Sequence, residues 1–391
     1  MQKVLKEMTQ DFTPTDFAES QIAGARGFDR VKLIGIAAAF AAGLVLAFQG
    51  HINGSLSVQL GNGIAAATYA FGSALVVLTL LLLASPAARA ALGRVLDSVR
   101  SGIQARRLTG DANAPLAGLG HPGTPGIGRL RWFQIIGGAA GGLFVLSQSV
   151  TVPIFGVALF VVALTAGQTV SSLFCDRFGF APGGKRPITW LRALGPLIAI
   201  AAVLVAQWRN LGNPDHLGFV LLPVIAGIFV AAQHAINGRV EATAAYHPAA
   251  SGMSASDQPA SGITNEPRME HLAGALTATF INFAVGTAAL ILVLAVALAI
   301  QGAPAGPMNF QWWMFTGGLL GMIFIGTAAV VVPRIGALLW TLALIAGQTL
   351  GGLVLDLTVR HNTPALATYL GVLLILLAVA IPALTTRSAD A

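Results

Sequence analysis

Ten runs of mostly apolar residues recur along the chain, at roughly 31–52, 64–84, 131–151, 154–175, 188–207, 217–236, 272–300, 311–332, 336–356 and 366–385. A helix rises about 1.5 Å per residue, so about 20 apolar residues are needed to cross a bilayer core. Within lipid, backbone N–H and C=O groups must be paired inside the protein, which favours helices for runs of this length. The expected fold is all-α: an integral membrane protein of about ten transmembrane helices. Only 9% of the 391 residues are charged and the mean hydropathy is +0.77. A soluble domain carries about 25% charged residues, so this chain lacks the polar shell that a soluble core of its size requires. Two junctions between runs are tight and hold a proline, Val150–Gly156 and Val330–Gly336. Proline ends or kinks a helix, so each reads as a hairpin turn at a membrane surface.

The charges set an orientation. With the N-terminus inside, the inside segments are the tail to Lys32, the loops 85–131, 176–192, 237–271 and 333–335, and the C-terminal tail. They hold about 20 of the 22 Lys and Arg residues, and the outside loops keep Arg209 and Arg360. This bias is the positive-inside pattern, with both termini inside. It accounts for the net charge of +7 without a nucleic-acid partner; Arg89, Arg94, Arg100, Arg106 and Arg107 read as an orientation signal. Met1–Arg30 has no apolar signal-peptide core and reads as a cytoplasmic tail. The single cysteine, Cys175, excludes a disulfide framework within the chain.

The chain also repeats itself. Trp132–Asp176 and Trp312–Asp356 align with a shift of 180 and no gap, with roughly 18 of 45 positions identical. Shared positions include Gly137/Gly317, Gly138/Gly318, Gly141/Gly321, Pro153/Pro333, Gly167/Gly347, Gln168/Gln348 and Asp176/Asp356. Earlier in each half, Gln49, Asn53 and Gly54 match Gln233, Asn237 and Gly238, and Phe71 begins a weaker match to Val285. The expected organisation is a tail 1–30, a first five-helix repeat 31–207 with a basic loop at about 85–131, and a second repeat 217–385 with a loop at about 241–271. Five spans per half is odd, so the second half enters the membrane inverted. Inverted-topology repeats are a common design of secondary transporters.

These motifs carry a resemblance. "Q-x-x-x-N-G" closing the first span, "W-x-x-x-x-G-G-x-x-G" in the third, "P-x-x-G" at the hairpin and "A-G-Q-T" with a terminal Asp in the fourth resemble the drug/metabolite transporter superfamily, within it the YdcZ-like, EamA-related branch. The resemblance implies a multi-pass carrier of a bacterial cytoplasmic membrane, often an exporter of small metabolites or toxic compounds. The four-span multidrug relatives use a membrane-embedded Glu in the first span. This chain has no acid at the middle of that span.

Polar side chains within the spans are the candidate site. Gln49 and Asn53 lie four apart on one helix face, as do Gln233 and Asn237. Amides both donate and accept, so Gln49, Asn53, Gln168, Gln233, Asn237 and Gln348 are candidates for solute binding or gating. An amide clamp between helices is the structural alternative. By depth, Gln49 with Gln348 and Gln233 with Gln168 are expected at the outer and inner mouths of a central cavity. Asp176, Asp356, His51 and His234 are candidates for ion coupling; the plainer reading is solvated charges and interfacial anchors. No ligand cluster for a metal and no cofactor motif is present, and no nucleotide P-loop or nucleophile motif points to an enzyme. The expected function is a secondary transporter, an exporter, of a small organic solute by alternating access. An uptake permease and a non-transporting scaffold subunit are the alternatives. The expected partners are the solute and membrane lipid, with a monomer sufficient and a homodimer compatible.

Overall fold

The computed structural model of the protein describes residues 14–109, 130, 132–178, 190–206, 214–245, 266–335, 337–359 and 366–387. Among them there are helices and no strands. In chain order they are α1 Pro14–Leu60, α2 Gly63–Ala84, α3 Pro86–Thr109, α4 Gly138–Phe155, α5 Val157–Phe178, α6 Trp190–Ala206, α7 Pro214–Ala245, α8 Glu266–Gln301, α9 Gly317–Ile335, α10 Ala337–Thr358 and α11 Leu366–Arg387. Short 3₁₀ turns, Trp132–Gly137 and Trp312–Phe315, lead into α4 and α9. The protein is an all-α, multi-pass membrane protein. By length and composition the segments Leu33–Leu60, Gly63–Ala84, Phe133–Phe155, Leu272–Ile300 and Trp340–Thr358 suffice to cross a bilayer. Shorter apolar segments fill the other five runs. Apolar side chains also cover the outside, as at Leu292, 68% exposed, and Ile300, 78% exposed. Lipid is the solvent that tolerates such a surface.

Helix α1 extends beyond the first apolar run: residues 14–30 continue into it as one 47-residue helix. Pro14 stands at its start, where a missing N–H is harmless, and no later proline interrupts it. Residues 1–13 lie outside the described ones.

Within the loop at about 85–131 the first part is α3, started by Ser85, whose Oγ accepts from the Ala88 N–H at 3.2 Å, with Pro86 at the first helical position. Ala88, Ala91, Val95 and Val99 of α3 pack on Val240, Ala244, Ala273 and Ala278 of α7 and α8. Arg94, read as part of an orientation signal, donates from Nε and Nη2 to the Ala244 carbonyl at 3.0 and 2.6 Å. That carbonyl is one of the last of α7, where a cation also meets the negative end of the helix dipole. At the other helix end of this kind, the 302–311 segment closes over α1: Gly306 and Met308 donate backbone N–H bonds to Leu60 and Gln59 carbonyls, and the Asn309 N–H donates to Gln59 Oε1.

The first proline junction is a tight turn. Pro153 sits in the last turn of α4, which ends at Gly156, φ +91°, a conformation that favours glycine. Helix α5 begins at the next residue. At the second junction α9 ends at Ile335 and α10 starts at Ala337, with residue 336 outside the described ones.

Glycines set the closest helix contacts. A Cβ on Gly43 of α1 would fall on the Leu344 carbonyl and the Gln348 N of α10, and one on Gly347 would fall on the Phe40 carbonyl. In the α5/α7 pair, a Cβ on Gly227 would fall on the Leu164 carbonyl and the Gln168 N, and one on Gly167 on the Val224 carbonyl. These two helix pairs are therefore in backbone contact, as small residues allow in membranes. Between α2 and α8, the rings of Phe71 and Phe283 meet with centroids 4.6 Å apart.

Candidate functional site

Gln49 and Asn53 share the face of α1 that lies against α9. A Cβ on Gly321 would come within 2.7 Å of Gln49 Nε2, and one on Gly317 would meet Asn53 Oδ1. On α7, Gln233 and Asn237 lie against Gly141 and Gly137, which a Cβ would bring to 2.7 Å from Gln233 Nε2 and 3.7 Å from Asn237 Oδ1. The "G-G-x-x-G" glycines thus do two things. The middle glycine of each set meets a backbone carbonyl: Gly138 that of Asn282, and Gly318 that of Ala70. The outer glycines make room for the amides.

The amides differ in how they are satisfied. Asn53 donates from Nδ2 to Gln148 Oε1 of α4 at 3.1 Å. Gln148 also lies over Gly50, where a Cβ would be 3.4 Å from its Nε2. Gln49, Asn53 and Gln148 are 3%, 0% and 0% exposed. Even so, Gln49 Oε1, Asn53 Oδ1 and Gln148 Nε2 have no hydrogen-bond partner in the protein. On the other side, Gln233 donates from Nε2 to Asn282 Oδ1 of α8 at 2.6 Å. Each buried polar atom left unpaired costs about 1–3 kcal/mol, so the Gln49–Asn53–Gln148 cluster is built against stability.

Gln348 is buried at a glycine seat, its backbone N beside Gly43, with its Nε2 unpaired. Gln168 is half-buried, its backbone N beside Gly227. The structure brings Gln49 and Asn53 together on α9's glycines, and Gln233 and Asn237 on Gly141 and Gly137. The described cavity of about 320 Å³ is elsewhere, lined by Val205 of α6 and Leu366, Ala367 and Leu370 of α11. It is apolar and holds none of the candidate residues.

Asp356 departs from the expectation of a solvated charge. It is 5% exposed, and its carboxylate accepts from the Val157 N–H at 3.0 Å and the Ala158 N–H at 2.9 Å. It caps the first turn of α5 directly after Gly156, where free N–H groups and the helix dipole favour a negative charge. The sequence does not reveal this, because the cap comes from 199 residues away. His51 is stacked on Trp313, ring centroids 5.9 Å apart and planes 8° from parallel. The side chains of Asp176 and His234 lie outside the described ones. Near the end of α7, burial pushes the Glu241 carboxyl up to about 7. No group of three His, Cys, Asp or Glu among the described residues stands close enough to hold a metal ion.

Sequence reasoning passed over Gln148 and Asn282. Matching the two halves draws attention to what they share, and these two residues are what they do not share. The residue aligned with Gln148 is Ala328. Asn282 holds on α8 the place that Ala70 holds on α2, each offering its carbonyl to the middle glycine. This contact register pairs Phe71 with Phe283, two residues from the Phe71/Val285 match read in the sequence.

Comparison with known proteins places these features in context. The family described as "Putative inner membrane exporter, YdcZ" matches residues 34–99, 115–205 and 258–381. Inner membrane protein YdcZ of Escherichia coli (strain K12) is 29% identical over 94 residues. That match covers 24% of this chain, and the chain spans 63% of that relative's length. A solved crystal structure of a protein aligns with 93% of this chain and 99% of its own at 16% identity, with a TM-score of 0.44, a superposition too loose to assign a fold.

Proposed function

Because this chain belongs to the YdcZ family of the drug/metabolite transporters, we propose that it is a membrane transporter that exports a small organic solute by alternating access. In this reading ten spans form two inverted five-helix repeats, 31–207 and 217–385, with both termini inside. The observation that carries it is the reciprocal seating of glycines. Gly43 against Leu344 and Gln348 has its counterpart in Gly227 against Leu164 and Gln168, and Gly347 against Phe40 has its counterpart in Gly167 against Val224. Each contact joins the first span of one half to the fourth span of the other. The Phe71–Phe283 contact between the second span of each half supports the same pairing of the halves. Two halves that exchange environments offer two related conformations, one open to each side, as alternating access requires.

The amide clusters are the candidate solute contacts. Gln49 and Asn53, late in an outward-running span, serve the outer mouth; Gln233 and Asn237, late in an inward-running span, serve the inner one. Gln348 and Gln168 line the corresponding helix seams. His51, His234, Asp176 and Asp356 are the candidates for ion coupling, with Asp356 already engaged as a helix cap. One chain supplies both halves, so a monomer completes the path.

Flux from proteoliposomes, with and without a pH gradient, tests the reading. A solute set chosen by thermal shift should exchange across the membrane in wild type, and Gln168→Ala and Gln348→Ala should slow it while inserting normally. Flux indistinguishable from empty liposomes would favour the scaffold alternative.

A further inference from the structure

The outer amide cluster has a chemistry narrower than "small organic solute". Its three side chains, Gln49, Asn53 and Gln148, are all more than nine-tenths buried; Gln49 and Asn53 lie on α1 against α9, and Gln148 of α4 accepts from Asn53. None is ionisable. The unpaired atoms are two acceptors, Gln49 Oε1 and Asn53 Oδ1, and one donor, Gln148 Nε2. Turning both amides of the Asn53–Gln148 pair over leaves the pair with one free donor and one free acceptor, so the pattern does not depend on that assignment. A carboxylate here would meet acceptors where it needs donors. An ammonium group would find the two acceptors but would leave the Gln148 N–H₂ unpaired and meet no counter-charge, after losing its hydration. An uncharged group that offers a donor beside an acceptor would satisfy the set.

We propose that Gln148 is a specificity-determining residue, and that with Gln49 and Asn53 it selects an uncharged solute carrying a hydrogen-bond donor next to an acceptor, as in a primary carboxamide or a vicinal diol. The proposal rests on the carrier reading above and deepens it. The equivalent place in the second half is built differently: Ala328 stands where Gln148 would be, and Gln233 donates to Asn282. The Asn53–Gln148 bond that ties α1 to α4 is within reach of the same solute, which couples occupancy to that helix contact.

The test uses the full-length protein in nanodiscs and the midpoint of thermal unfolding, titrated with nicotinamide and xylitol as uncharged probes, lactate as an anion, alanine as a zwitterion and tetraethylammonium as a cation. A ligand of the folded state raises the midpoint in a saturable way. Nicotinamide or xylitol should do so in wild type, and Gln148→Leu should weaken that response about tenfold or more. Gln148→Glu, which keeps the shape and removes the donor, should lose it too and gain a response to tetraethylammonium. Because Gln148→Glu differs by few atoms, it decides the matter if Gln148→Leu does not fold. The proposal is overturned if neither uncharged probe gives a saturable shift, if both variants respond as wild type does, or if a charged probe alone binds wild type. A charged probe that binds and is also transported would leave the carrier reading standing without this one. Binding and flux absent for every probe would remove both.

Discussion

Adding one methyl group at Gly347 should destabilise the protein, whereas adding it at Gly72 should not. Both glycines lie inside helices, α10 and α2. A Cβ at Gly347 would fall on the Phe40 carbonyl oxygen and lie 2.9 Å from its carbon and 3.1 Å from its Cα. These are backbone atoms and cannot rotate away, so α1 and α10 must separate by about an ångström to restore ordinary contact. Overpacking of this kind costs about 1–3 kcal/mol. At Gly72 a Cβ meets nothing within 4 Å. Both substitutions gain the same helix preference of alanine over glycine, about 1 kcal/mol, which cancels in the comparison. Gly347→Ala should therefore be less stable than Gly72→Ala by about 1–3 kcal/mol. Gly167→Ala, which meets the Val224 carbonyl, should match Gly347→Ala. Unfolding midpoints from fluorescence-detected size exclusion of detergent-solubilised protein measure this. The reasoning is refuted if Gly347→Ala and Gly167→Ala are as stable as Gly72→Ala.

Other substitutions probe separate contacts. Asp356→Asn replaces one of the two accepting oxygens with an N–H₂ that faces a backbone N–H, so stability should fall by about 1–3 kcal/mol; a midpoint equal to wild type would show the cap to be dispensable. Arg94→Met keeps the stem on α7 but loses both bonds to the Ala244 carbonyl, and hydrogen exchange should rise in α3 and the last turn of α7; unchanged protection there would mean that apolar packing alone holds α3. Burial raises the folded pKa of Glu241 from 4.5 to about 7, so its contribution to stability is full below 4.5 and is lost as pH rises through 7. The unfolding midpoint should fall between pH 5 and 8, and Glu241→Gln should flatten that fall; an unaltered pH profile in Glu241→Gln would assign it to another group.

Much of the architecture was legible in the sequence because a bilayer imposes a length rule on apolar runs. Each of the ten runs is mostly helical where described, and the Pro153–Gly156 turn lies where the proline placed it. What stayed hidden depends on contacts distant in sequence. The stretch 86–109 is too polar to span, so only its Ala and Val face, packed on α7 and α8, shows it to be a docked helix. Asp356 follows an apolar run and looks like a surface charge until the first turn of α5 is found against it. For the candidate site, Gln49, Asn53, Gln233 and Asn237 stood out because they repeat. Gln148 and Asn282, which hold two of them, stand at positions where the other half has alanine, so the sequence repeat that singled out the first four passed over these two.

The central claim is that two inverted halves place matched residues at opposite mouths of one path. Single-cysteine variants Gln49→Cys and Gln233→Cys, each in a Cys175→Ser background, test it with a membrane-impermeant maleimide applied to right-side-out and inside-out vesicles. The account predicts labelling at position 49 from the outside and at position 233 from the inside, with any solute or variant that speeds one slowing the other. Labelling of both positions from the same side, or rates that rise and fall together, would contradict it.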